Sequence, residues 1–248
     1  MSLLIKELKR SLKSGASLRH VKANLLTARD LRSLKKAMGW VNDPVLDDEW
    51  IYRFENLTDL NDRRIRDAEV LGGASANGDP KVLLEIGTAR GEGTAIMAKN
   101  APRGTVYTVN ILPEDIAEGG KVVSYAPSKN EIGAYYREKG LTNVVQIFAN
   151  TLHWEPDFGP IDVAFIDGCH DASFVYNDTR KVLGKCRPGS IIVWHDFAPD
   201  LTGAYPFIKD VMRGVEFLYR DNLIRGNILH LQDSFMGIYR IPPETAPR

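Results

Sequence analysis

Residues 81–94 read Lys81-Val-Leu-Leu-Glu85-Ile-Gly87-Thr88-Ala-Arg-Gly91-Glu-Gly93-Thr94. Val82, Leu83, Leu84 and Ile86 form a short apolar run that suits a strand buried on both faces. Three glycines follow, and Thr94-Ala-Ile-Met-Ala98 then has the look of a helix start. Strand, glycine turn and helix form the opening unit of a doubly wound α/β sheet, in which ligands sit beyond the carboxyl ends of the strands. A dinucleotide fingerprint would space its glycines G-x-G-x-x-G and cradle a pyrophosphate. Here the order is Glu85-x-Gly87-x-x-x-Gly91-x-Gly93. An acid in the strand is a poor neighbour for a pyrophosphate and favours a ligand with positive charge or N–H groups. The same pattern would also serve a tight turn that packs a helix on a strand and binds nothing.

The units that follow support the sheet. Gly104–Ile111 is a β-branched strand that ends in Asn110. Residues 113–143 are turn-rich, with a helical stretch over Glu131–Lys139; they suit a loop over the site, with Tyr125, Tyr135 and Tyr136 facing a substrate, or an ordinary crossover with half-buried tyrosines. Val144–Ala149 is a third strand, followed by Asn150-Thr151. Pro160–Gly168 contains the next strand, a helical pattern follows, and after a turn at Pro188-Gly189 a fifth strand runs over Ser190–Asp196. Asn227–Leu231 and Phe235–Arg240 close the chain as a hairpin.

Two strand ends carry polar clusters, Asp167-Gly168-Cys169-His170 and His195-Asp196. Helix capping or turn formation explains either one alone. Two of them at the edge that holds the glycine turn point to a site.

These residues carry a resemblance. E-x-G-x-x-x-G-x-G resembles motif I of the class I S-adenosylmethionine-dependent methyltransferases. The pattern F-I-D-G-x-H, a helix, then P-G-S-x-I-x-x-H-D is similar to the group of macrocin-type sugar O-methyltransferases and cephalosporin-hydroxylase-like proteins, over roughly residues 80–240. The resemblance implies a mostly parallel seven-stranded Rossmann-like sheet with a C-terminal antiparallel hairpin. It implies O-methylation of a small-molecule or sugar hydroxyl with S-adenosylmethionine as cofactor. Carried over by position, Glu85, Gly87, Thr88, Gly91, Gly93, Asn110, Asn150 and Asp167 would bind the cofactor, and Asn110 stands where an acid usually holds the ribose. Asp167, His195 and Asp196 fall on the metal ligands of metal-dependent relatives, with His195 where the sugar enzymes use an acid. Magnesium prefers oxygen ligands; two aspartates and a histidine suit a transition metal better, with His170 as a possible second imidazole. For catalysis the candidates are Asp167, His170 and His195, as bases or, for the aspartate, through a metal. His20, His153 and His230 are read as structural.

Composition bounds the alternatives. The 248 residues carry 32 basic and 32 acidic side chains, so no overall field points to nucleic acid or membrane. Two cysteines make no disulfide framework and suit a reducing, cytoplasmic setting. No apolar run approaches the ~20 residues of a membrane span. Residues 1–40 are basic, with leucines at helical spacing (Leu4, Leu8, Leu12; Leu18, Val21, Leu25; Leu31, Leu34, Met38). They read as helices that pack on the main domain or on a second subunit of a homo-oligomer, or else as a face for an acidic partner. Residues 71–80, LGGASANGDP, read as a linker. The expected division is a helical cap over residues 1–75 and a cofactor-binding domain over residues 76–248. Two other classes stay open: an NAD(P)- or metal-dependent oxidoreductase, and a non-catalytic module for an acidic partner.

Overall fold

The computed structural model describes residues 17–46, 63–116 and 127–243. Leu4, Leu8, Leu12 and Tyr125 lie outside them. Strand β1 (Leu25–Ala28) lies between helices α1 (Arg19–Ala23) and α2 (Leu31–Met38), and α3 (Arg63–Ala76) comes next. The alternating part runs β2 (Val82–Ile86), α4 (Glu92–Asn100), β3 (Thr105–Asn110), α5 (Ala134–Glu138), β4 (Val144–Phe148), β5 (Ile161–Ile166), α6 (Ala172–Leu183) and β6 (Cys186–Trp194). Helix α7 (Pro206–Arg220) and strands β7 (Ile228–Leu231) and β8 (Gly237–Arg240) follow.

The strands make one sheet in the order β1-β7-β8-β6-β5-β2-β3-β4. All run parallel except β8, which is antiparallel to both neighbours, β6 and β7. The seven strands expected for a Rossmann-like methyltransferase sheet are therefore present, with the closing hairpin at Ile228–Arg240. The reversal of order between β2 and β5 places the crevice at the carboxyl ends of these two central strands. Leu84, Ile86, Ala164, Ile166, Ile192 and Trp194 face α6 and α7. Leu83, Val163, Phe165, Ile191 and Val193 face the layer of α2, α3 and α4. Burial on both faces is why these strands read as apolar runs rather than as alternating ones.

The N-terminal segment departs from its helical expectation in two places. Leu25–Ala28 is an eighth strand, paired in parallel with Ile228–Leu231. Residues 71–76 are no linker, since α3 runs through them to Ala76. Their glycines serve packing: a Cβ on Gly72 would lie 2.8 Å from Pro44 Cβ, and one on Gly73 would lie 2.6 Å from Trp40 Cζ3. Glycine content there marks close approach between helix α3 and the segment that follows α2. Helix α2 does form as its spacing predicts, with Leu34 and Met38 buried, an Asp30–Ser33 capping box and left-handed Gly39 at its end. Pro188-Gly189 lies inside β6, where the β5–β6 register jumps between Ile161 and Val163. The expected turn is therefore a bulge in a continuous strand.

Candidate active site

The glycine turn is set by chain-to-chain contact. Gly87 has φ of +100°, and a Cβ there would sit 2.0 Å from the Asp167 carbonyl oxygen. Its N–H donates to Val109 O at 2.8 Å, and Asp167 N–H donates to Ile86 O at 2.8 Å. The turn is thereby stitched to β3 and to the end of β5. Gly91 starts α4 in the left-handed region, under the ring of Tyr136, while Gly93 leaves room for the Glu85 carboxylate. Each glycine answers to protein packing.

Glu85 is 1% exposed. Its carboxylate accepts from Thr108 Oγ1 at 2.6 Å and from Thr94 Oγ1. Thr88 Oγ1 shares a 2.6 Å bond with Thr108 Oγ1 and accepts from Gln146 Nε2 at 3.0 Å. Burial pushes the Glu85 carboxyl up to about 8, against the pull of the two hydroxyls. Burial therefore opposes a charge on this acid, which braces the turn from beneath. Thr88, 2% exposed, belongs to the same buried network.

Asn110 is likewise engaged. Its Oδ1 accepts the N–H of Ala89, which has φ of +46°, at 3.0 Å, and its amide donates to Ile111 O at 2.7 Å. That pair of bonds needs an acceptor and a donor on one side chain, which an ionised carboxylate cannot supply. Asn150 accepts the Leu152 N–H and turns the chain after β4. Lys181 fastens that turn by donating to the carbonyls of Thr151 at 2.6 Å and Trp154 at 2.7 Å. Tyr136 is buried against the glycine turn, which favours the crossover alternative for that tyrosine.

The polar strand ends meet, as expected. Asp196 has φ of +53°, a conformation asparagine and aspartate tolerate better than most residues. Neighbouring side chains on a straight strand point to opposite faces; the left-handed bend lets both His195 and Asp196 face Asp167. His195 Nδ1 lies 3.2 Å from Asp167 Oδ1 and 3.5 Å from Asp196 Oδ1. His170 Nε2 lies 2.9 Å from Asp196 Oδ2. Burial opposes charge on His195, but the two carboxylates outweigh it and hold the imidazole well above its usual range. Burial likewise opposes charge on Asp196, and His195 with His170 holds it far below the carboxylate range. Even so, His195 Nδ1 is buried and has no hydrogen-bond partner of acceptable geometry among the described residues.

This arrangement suits a cation. Ligand atoms of Asp167, His170 and Asp196 all lie within 4.8 Å of one another. His195 is not part of that group, so the acids expected to hold a metal come together with His170 rather than with His195.

Sequence inspection missed Asp67 and Arg63 on α3. Asp67 Oδ2 is 3.5 Å from His195 Nε2, and its Oδ1 accepts the Phe235 N–H at 2.7 Å. Arg63 stacks over Phe235 at 5.4 Å and pairs with Asp200 at 2.7 Å. No motif marks them; only a helix spacing of four put both on one face.

Residues 84–197 match a family model described as a methyltransferase domain. A relative named "Probable O-methyltransferase" in Mycobacterium tuberculosis is 26% identical over 148 residues, which are 59% of this chain and 60% of that protein. Solved structures with the same fold include a cofactor-bound Mycobacterium tuberculosis protein, with a TM-score of 0.53 and 18% identity over 72% of this chain and 81% of that one. The SAH-bound methyltransferase PaMTH1 of Podospora anserina gives a TM-score of 0.53 at 16% identity, over 86% and 95% of the chains. A Klebsiella pneumoniae protein described as a candidate O-methyltransferase gives 0.54 at 15% identity, over 96% and 95%.

Proposed function

We propose that this chain, which carries a methyltransferase domain in residues 84–197, moves the methyl group of S-adenosylmethionine to a hydroxyl oxygen of a small molecule, a sugar among the candidates. The observation that carries this is the meeting of Asp167, His170, His195 and Asp196 at the crevice edge, directly beside the turn at Gly87. The cofactor lies over Gly87–Gly91 and Asp167, with Asn110 and Asn150 shaping the walls. Glu85, Thr88 and Gly93 act from below by fixing the turn.

Methyl transfer needs the acceptor oxygen, the methyl carbon and the sulfur in line, and alignment of this kind is worth up to ~7–11 kcal/mol in ideal cases. The acceptor must also shed its proton. At His195 burial disfavours a proton while the two carboxylates favour one, and the carboxylates prevail. A divalent cation held by Asp167, His170 and Asp196 fits the donor set, and an imidazole among the ligands favours Mn²⁺, Fe²⁺ or Zn²⁺ over Mg²⁺. When bound, such an ion lowers the pKa of a hydroxyl that reaches it. Exclusion of the cation leaves His170, with one carboxylate contact at 2.9 Å, as the more accessible base.

The test is transfer of labelled methyl from S-adenosylmethionine to a panel of phenols, sugars and hydroxy acids, with Mn²⁺, with Mg²⁺ and with chelator. Metal-dependent labelling of one hydroxyl class is expected. Labelling untouched by chelator would leave methyl transfer standing and remove the cation. No affinity for the cofactor in a binding titration, with NAD bound instead, would favour the oxidoreductase class.

A further inference from the structure

We propose that a cavity at the amino-terminal edge of the sheet is a second binding site, for a small organic anion: an apolar chain or ring that ends in a carboxylate. The strands place it. Pro80 precedes β2, Asp162 opens β5, Arg187 lies in the bulged first half of β6, and Arg240 ends the antiparallel β8. Trp40, just after α2, closes it from the helical layer. Asp167 and Asp196 lie beyond the opposite ends of β5 and β6, so the cavity lies across the sheet from the catalytic crevice. Its volume is about 620 Å³, inside the ~300–1,000 Å³ range of small-molecule pockets.

Three observations define the ligand. Trp40 is 6% exposed, and its indole N–H is buried with no hydrogen-bond partner among the described residues. A Cβ on Gly73 would meet its Cζ3 and Cε3 at 2.6 Å and 2.9 Å, so that ring edge rests on α3 and Nε1 lies on the other edge. A buried donor without an acceptor is unfavourable, and a ligand oxygen would satisfy it. The rim is cationic. Asp162 is fully occupied: Oδ2 accepts the N–H of Lys81 at 2.8 Å and of Val82 at 3.1 Å, and Oδ1 accepts from Arg187 Nη2 at 2.6 Å. Arg240 Nη2 donates to Met38 O at 2.5 Å. Each guanidinium uses one terminal nitrogen in these bonds, and its remaining donors suit a carboxylate. The inner wall is apolar, with Met38, Val163 and Ile191 buried behind the two arginines. A bare phosphate would leave that wall unused, which commits the site to an anion with an apolar body.

The probe is octanoate, with octanamide as its neutral counterpart and inorganic phosphate as the anion without an apolar body. The readout is the Trp40 indole N–H in nitrogen–proton correlation spectra of the full chain, identified by its loss in Trp40→Phe. Octanoate is expected to shift that resonance saturably, while octanamide and phosphate leave it in place at the same concentrations. Arg240→Gln and Arg187→Gln should each weaken octanoate binding roughly 10-fold, the effect of one charge-assisted hydrogen bond, with cofactor affinity unchanged. Arg187 is 59% exposed in its side chain, so R187Q keeps the test standing should R240Q melt early. No shift with octanoate, an equal shift with octanamide, or a shift that survives both arginine variants overturns the site. A shift with phosphate equal to that with octanoate overturns the apolar body. A Trp40 resonance that moves on deleting residues 244–248 would give the cavity to that segment and overturn the small anion.

Discussion

Glu85 shows how burial rewrites a residue's role. Its carboxyl sits at about 8 in the folded protein against 4.5 when exposed. Between those values the folded state holds a proton the unfolded chain has released. Stability should therefore fall as pH rises from about 5 to 8, by roughly 1 kcal/mol per pH unit from this group. Glu85→Gln keeps an acceptor for Thr94 and Thr108 and cannot ionise. Denaturant titrations at several pH values should show a flatter profile for E85Q than for wild type; identical slopes would mean that Glu85 is charged in the fold. Asp196, bent inward at positive φ between two histidines, should behave differently. Asp196→Ala is expected to cut methyl transfer by about two orders of magnitude or more, while cofactor affinity by titration calorimetry stays near wild type.

Helix α3 shows the same contrast between pattern and contact. Gly39 and Gly73 are both glycines of the N-terminal helical segment, yet their surroundings differ. Gly39 is left-handed in open space, so Gly39→Ala should cost about 1 kcal/mol, from backbone strain alone. Gly73 lies inside α3, where alanine would gain helix propensity, but a Cβ there meets the Trp40 ring at 2.6 Å and 2.9 Å. Overpacking of that kind costs about 1–3 kcal/mol, so Gly73→Ala should be destabilising on balance. Thermal melts of the two variants, together with Trp40 fluorescence, distinguish them: only Gly73→Ala should shift the Trp40 emission.

For the whole molecule, the N-terminal segment is part of the sheet and of both helical layers. Glu216, 1% exposed on α7, accepts the backbone N–H of His20 and of Val21, both at 2.9 Å, and lies 2.7 Å from His20 Nδ1. Removing residues 1–30 would expose the β7 edge, strip Leu18 and Val21 from the core and leave Glu216 buried without those partners. A chain beginning at residue 31 should melt well below the full chain and self-associate through the open edge. An unchanged melting temperature and a monomeric sedimentation profile would show that β1 is dispensable. Among the described residues no helix is long and apolar enough to cross a membrane.

The sheet was legible in the sequence because its strands are covered on both faces, which produces uninterrupted apolar runs, and because glycine punctuates the places where two backbones nearly touch. For the same reason Asp167, His170, His195 and Asp196 stood out as polar residues at the tips of such runs. Local pattern carries no record of contacts between distant segments. That β1 joins the sheet depends on the open edge of β7, that a charge on Glu85 is disfavoured depends on its depth, and that Asp67 lies near His195 depends on how α3 lies across the strand ends. Those facts come from three-dimensional packing, where the surroundings of a side chain, and not its position in the chain, set its charge and its partner.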